Sequence, residues 1–104
     1  MNAVSTAGRV KPTVLLVEDS QADIALFTEV FGRCGIDADL EVVTDGAAAM
    51  AFLQEAGLRA AAERPDLIIL DLNLPQKHGL EVLAWLKADD RLKSIPVLVM
   101  SSSD

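Results

Sequence analysis

Aromatic side chains and cysteine are scarce in this chain of 104 residues, which has no tyrosine, one tryptophan, three phenylalanines and one cysteine. The single cysteine, Cys34, excludes an internal disulfide framework and a zinc site built on thiolates. No apolar run approaches the roughly 18–20 residues that span a bilayer. Residues 1–10 carry Arg9 but no apolar signal-peptide core, so secretion is unsupported. Basic side chains are also few, 9 against 16 acidic, for a formal net charge of −7. That balance would not neutralise a run of phosphates, which argues against a nucleic-acid partner, and it disfavours docking on anionic membranes. A cytoplasmic protein is the expectation. Hydrophobic residues make up 51% of the chain and aromatic ones only 4%, so a packed core is affordable but must be aliphatic.

The chain is long enough for one domain. Residues 1–11 lack periodicity and read as a flexible tail, leaving 12–104 as the folded unit. The near-continuous apolar run Val14 to Val17 fits a strand buried on both faces, and it stops at Glu18 and Asp19. Ser20 is placed to cap a first helix, with Asp23 favourable near its start. Ile24, Phe27, Val30 and Phe31 recur at helical spacing, and Gly35 can end that helix. A second strand is expected over 38–43. Thr44 or Asp45 then opens an alanine-rich helix with Met50, Leu53 and Leu58 toward the core and a break near Gly57. A third buried strand spans 67–70 and ends at Asp71. A third helix spans 80–88, with Leu80, Leu83, Ala84 and Trp85 as its inward side. A fourth strand spans 95–100, entered by Pro96. The order β-α-β-α-β-α-β predicts an open, doubly wound parallel α/β sheet.

In such a sheet, ligands bind beyond the carboxyl ends of the strands. With the first and third strands side by side, Glu18, Asp19 and Asp71 would share one acidic cup. Three carboxylates in one cleft repel one another, and a hard divalent cation relieves that repulsion. Mg²⁺ takes oxygen ligands from one or two carboxylates, waters and phosphate. Asp19 and Asp71 are its natural ligands, with Glu18 acting directly or through water and Asn73 offering a backbone carbonyl. The competing reading is that these acids simply occupy exposed loop ends.

The segments VLLVEDS, LIILDLNLPQKHG and IPVLVMSSSD resemble the response-regulator receiver domain of two-component signalling, over residues 11–104. The resemblance implies a flavodoxin-like fold. It implies that Glu18 and Asp19 bind Mg²⁺, that Asp71 accepts a phosphoryl group from a histidine kinase, and that Asn73 supplies a metal-binding carbonyl. Ser101 would contact the phosphoryl group. The DLNLP segment and the longer stretch between strands two and three look most like standalone receivers that serve bacterial phytochrome-type kinases. A receiver is a phosphoacceptor that assists its own phosphorylation and dephosphorylation, not an enzyme in its own right.

One departure stands out. Family members carry a further helix, strand and helix, and a lysine at the end of the fifth strand. The expectation for 12–104 is therefore a receiver lacking its C-terminal third, with Lys77, Lys87 and Lys93 all misplaced for the lysine's role. This keeps open a second reading, a receiver-like interaction module or fragment without phosphotransfer, and the edge at strand four invites homodimerisation or other self-association. A metal-dependent phosphohydrolase is disfavoured, because Asn73 stands where a second catalytic acid would follow Asp71. His78 reads as a surface loop residue, Trp85 and Phe27 as packing residues, and Cys34 as a small apolar filler. Pro75 and Gly79 constrain the loop after Asp71.

Overall fold

A computed structural model of the chain describes residues 11–74 and 78–100. The expected tail over 1–11, apart from Lys11, lies outside these residues, as do Ser101 with its expected phosphoryl contact, Lys77 and the peptide at Pro75. Among the described residues seven principal elements alternate as expected: β1 Thr13–Val17, α1 Gln21–Arg33, β2 Asp39–Val43, α2 Gly46–Gly57, β3 Leu67–Asp71, α3 Gly79–Ala88 and β4 Val97–Met100. A 3₁₀ turn, Ala61–Glu63, follows α2. The strands form one parallel sheet in the order β2-β1-β3-β4, the doubly wound, flavodoxin-like arrangement.

Local chemistry explains the helix boundaries. Ser20 Oγ accepts from Asp23 N–H at 3.2 Å and Asp45 Oδ1 from Ala48 N–H at 2.7 Å, capping α1 and α2. Gly35, at φ 69°, leaves α1 through the left-handed region that a side chain disfavours.

Strand alternation divides the core between the two faces of the sheet. Leu15, Val17, Ile68 and Leu70 pack with Ala49 and Leu53 of α2, Val82 and Leu86 of α3, and Leu92 and Ile95 before β4. On the other face Val14, Leu16 and Ile69 meet Ile24, Phe27 and Phe31 of α1. No residue of α1 is fully buried.

The structure corrects several inward assignments. Leu80 is 63% exposed and Ala84 is exposed, whereas Val82 and Leu86 carry the buried side of α3. Nearly every position of that helix is apolar, so its phase is set by packing rather than by pattern. Leu58 is 77% exposed because α2 ends at Gly57 and the chain turns there. Val30 is also exposed, on the flank of α1. Ile95 and Pro96 precede β4, with Ile95 buried and Pro96 O accepting from Ile68 N–H at 3.0 Å. No helix among the described residues is long and apolar enough to cross a membrane.

Candidate metal centre

The register that aligns Val17 with Leu70 carries Glu18 and Asp71 to the same edge of the sheet on adjacent strands. This edge is the topological switch, where β1 is flanked by β2 on one side and β3 on the other. Glu18 and Asp71 are each only 3% exposed, while Asp19 faces solvent. Each of these three residues offers a carboxylate oxygen within 4.8 Å of the other two.

Backbone groups hold the two buried acids. Glu18 N–H donates to Val43 O at 3.0 Å, extending the β1–β2 ladder by one residue. Ser20 N–H donates to Glu18 Oε2 at 3.1 Å, so Ser20 both caps α1 and anchors the acid before it. That second role follows from the spacing of a strand-end acid two residues before a cap, a signal the sequence reading passed over. Across the cleft, Asn73 N–H donates to Asp71 Oδ1 at 2.9 Å, and Leu72 N–H donates to Met100 O at 2.9 Å. Asn73 thus stands beside the Asp71 carboxylate, and β4 reaches the same edge through the pairing of Asp71 with Met100.

The electrostatics are those of three clustered acids. Among the described residues, no ion pair joins a lysine or arginine to Glu18, Asp19 or Asp71; the pairs of Lys11, Arg33, Arg59, Arg91 and Lys93 lie elsewhere. Burial pushes the Glu18 carboxyl up to about 7, opposed by the Ser20 N–H and reinforced by the charge of Asp71 and a hydrogen bond with it. An all-oxygen set of three carboxylates, two of them buried, is suited to a hard cation. The sequence-expected ligands Glu18, Asp19 and Asp71 are therefore brought together.

A family model described as the response regulator receiver domain matches residues 14–104. The response regulator Rcp1 of Synechocystis sp. (strain ATCC 27184 / PCC 6803 / Kazusa) is 53% identical over 90 residues, covering 86% of this chain and 61% of the relative. The crystal structure of the phosphorylated cyanobacterial phytochrome response regulator RcpA superposes with a TM-score of 0.79 at 49% identity, covering 90% of this chain and 67% of that one. The Mn²⁺-bound form of Rcp1 gives a TM-score of 0.78 at 50% identity, covering 88% and 66% respectively. The chain therefore spans about three fifths of the length of its curated relative Rcp1.

Proposed function

The chain belongs to the response-regulator receiver family, and from that premise we propose that Asp71 accepts a phosphoryl group from the phosphohistidine of a histidine kinase. The observation that carries this reading is the convergence of Glu18, Asp19 and Asp71 at the carboxyl edge of adjacent parallel strands. Members of this family act as phosphoacceptors and not as independent catalysts.

In the proposed reaction an Asp71 carboxylate oxygen forms the new bond to phosphorus. The phosphorus–nitrogen bond of the phosphohistidine breaks, and its electron pair returns to the imidazole. Asn73 N–H holds Asp71 Oδ1 at 2.9 Å and so orients the carboxylate before attack. Mg²⁺ is the cation proposed for the acidic cluster, held by Glu18, Asp19, Asp71 and the Asn73 carbonyl, where it would offset the charge of the incoming phosphoryl oxygens. Ser101 is proposed as the hydroxyl that contacts the transferred group.

The partner proposed is a histidine kinase of the phytochrome type, because the phytochrome response regulator RcpA matches at 49% identity. Ala22, Ala25 and Leu26 offer it an exposed apolar strip on α1, beside the acidic edge. The acidic composition and the single cysteine support a cytoplasmic setting.

The test is incubation with a small-molecule phosphodonor and Mg²⁺, followed by intact-mass measurement. Wild type should gain one acid-stable, base-labile phosphoryl group, and Asp71→Asn none. Equal labelling of the variant would assign the acceptor to another residue.

A second reading, a protein-interaction module, is favoured by β4, where Leu98 is 53% exposed and Val99 is also exposed. An edge strand with apolar side chains on both faces is a template for pairing with a second copy. Light scattering that returns a dimer mass, reduced to monomer by Leu98→Lys, would support self-association there. A monomeric wild type would remove it.

A further inference from the structure

Gly79 is a glycine whose missing side chain is required by a neighbouring backbone. A Cβ built on Gly79 would lie 2.5 Å from Asp71 O, 2.5 Å from Leu72 Cα and 3.2 Å from Asp71 C. These atoms belong to the peptide that carries the acceptor carboxylate, so they cannot turn aside as the end of a flexible side chain could. Gly32 and Gly57 show the contrast. Gly32 has open space, and Gly57 would meet only the Arg91 guanidinium, at 3.4 Å. Gly35 is the described glycine at positive φ, so Gly79 is not needed for a left-handed torsion. It is needed for close approach.

A hydrogen bond reinforces the contact, since Gly79 N–H donates to Leu72 O at 3.2 Å. Gly79 is also the first residue of α3, and Val82 and Leu86 bury that helix in the core. The start of a core-packed helix therefore rests directly on the Asp71–Leu72 peptide. On the opposite side of the same peptide, Leu72 N–H is held by Met100 O. The peptide is clamped between α3 and β4, and its carboxylate has little freedom except the torsions of one short side chain.

We infer that Gly79 is a positioning residue for the metal and phosphoacceptor site: by letting α3 seat on the Asp71–Leu72 peptide, it sets where the Asp71 carboxylate lies relative to Glu18 and Asp19. This rests on the reading of Asp71 as a metal ligand and acceptor. A Cβ at position 79 must push that peptide or the helix by the better part of an ångström, and interior packing transmits such a displacement instead of absorbing it. Carboxylate ligands displaced by that amount no longer match the near-octahedral demand of Mg²⁺.

The experiment is Mg²⁺ titration of wild type, Gly79→Ala and the control Leu53→Ala, with unfolding measured on each. Leu53 is fully buried in α2, so its truncation lowers stability without touching the Asp71 peptide. The expected result is a loss of at least about tenfold in Mg²⁺ affinity for Gly79→Ala, while folded Leu53→Ala stays within about twofold of wild type. Equal affinities for wild type and Gly79→Ala overturn the inference, as does an equal loss in the control. Should Gly79→Ala fail to fold, hydrogen exchange in wild type decides. Saturating Mg²⁺ should slow exchange at the Gly79 amide more than at Leu16, and equal slowing at both overturns the coupling. A wild type that binds no Mg²⁺ would instead remove the metal reading, and this inference with it.

Discussion

At the amino-terminal end of the central strands, charged groups find hydrogen-bond or ion-pair partners. Asp66 Oδ2 accepts from Thr13 N–H at 2.9 Å, and Asp66 N–H returns a bond to Thr13 O at 2.8 Å, locking the starts of β1 and β3 together. The Arg64 guanidinium donates to Gly57 O at 3.2 Å, Arg59 O at 2.9 Å and Arg91 O at 2.9 Å. It thereby ties the end of α2 to the turn before β4 and satisfies carbonyls that a helix terminus leaves open. Lys11 lies 3.5 Å from both Asp37 and Asp39. At the carboxyl end of the same strands, two acids are buried beside a third, with backbone N–H groups and no paired cation among the described residues. One end uses its charges to hold the fold together, and the other keeps like charges together at the expense of stability. Such a local excess is expected where a protein binds a ligand of opposite sign.

The contrast is sharpened most by pH. Without a bound cation, Glu18 holds its proton up to about 7 in the folded chain against an ordinary value of 4.5. The folded state therefore binds more protons than the unfolded state between these values, and the slope of stability with pH is negative there. The contribution is fully present below about 4.5 and is lost as pH rises through about 7. At about 1.4 kcal/mol per unit, the loss amounts to at most about 3–4 kcal/mol. Glu18→Gln should remove this slope and be the more stable protein at pH 8, as denaturant unfolding across pH will show. A parallel pair of curves would mean that Glu18 carries no such strain.

The opposite end should behave in the opposite way. Arg64→Ala removes a charged donor from three carbonyls and should destabilise the chain by about 2 kcal/mol while leaving Mg²⁺ affinity unchanged. A loss of affinity in that variant would show that the two ends are not separable. Asp66→Ala should have the smallest effect, about 1 kcal/mol, because its partner Thr13 N–H lies at the surface and water can replace the carboxylate. Thermal unfolding resolves both changes.

How much of this was legible in the sequence depends on the range of the interaction. β1 and β3 announced themselves through apolar runs ending at acids, and Ser20, Asp45 and Gly35 marked helix ends because capping needs only neighbouring residues. The acidic triad was legible once β1 and β3 were taken as adjacent. The inward side of α3 was not, since Leu80 and Val82 are equally apolar and only the packed core distinguishes them. Arg64 gave no signal, because its partners lie up to 27 positions away at Arg91. The closeness of Gly79 to the Asp71 peptide was equally hidden: sequence marked a glycine in a turn, but not the backbone it touches.

The central claim, that the carboxyl end is a cation site maintained at a cost in stability, is tested most directly by measuring unfolding at pH 8 with and without Mg²⁺ in wild type and Asp19→Asn. Asp19 is exposed, so its replacement leaves the core intact while removing a proposed ligand. At a concentration about 100 times the dissociation constant, Mg²⁺ should stabilise wild type by about 2.7 kcal/mol. At that same concentration Asp19→Asn should gain much less. A wild-type unfolding curve that Mg²⁺ does not move, or an equal gain in the variant, would contradict the account.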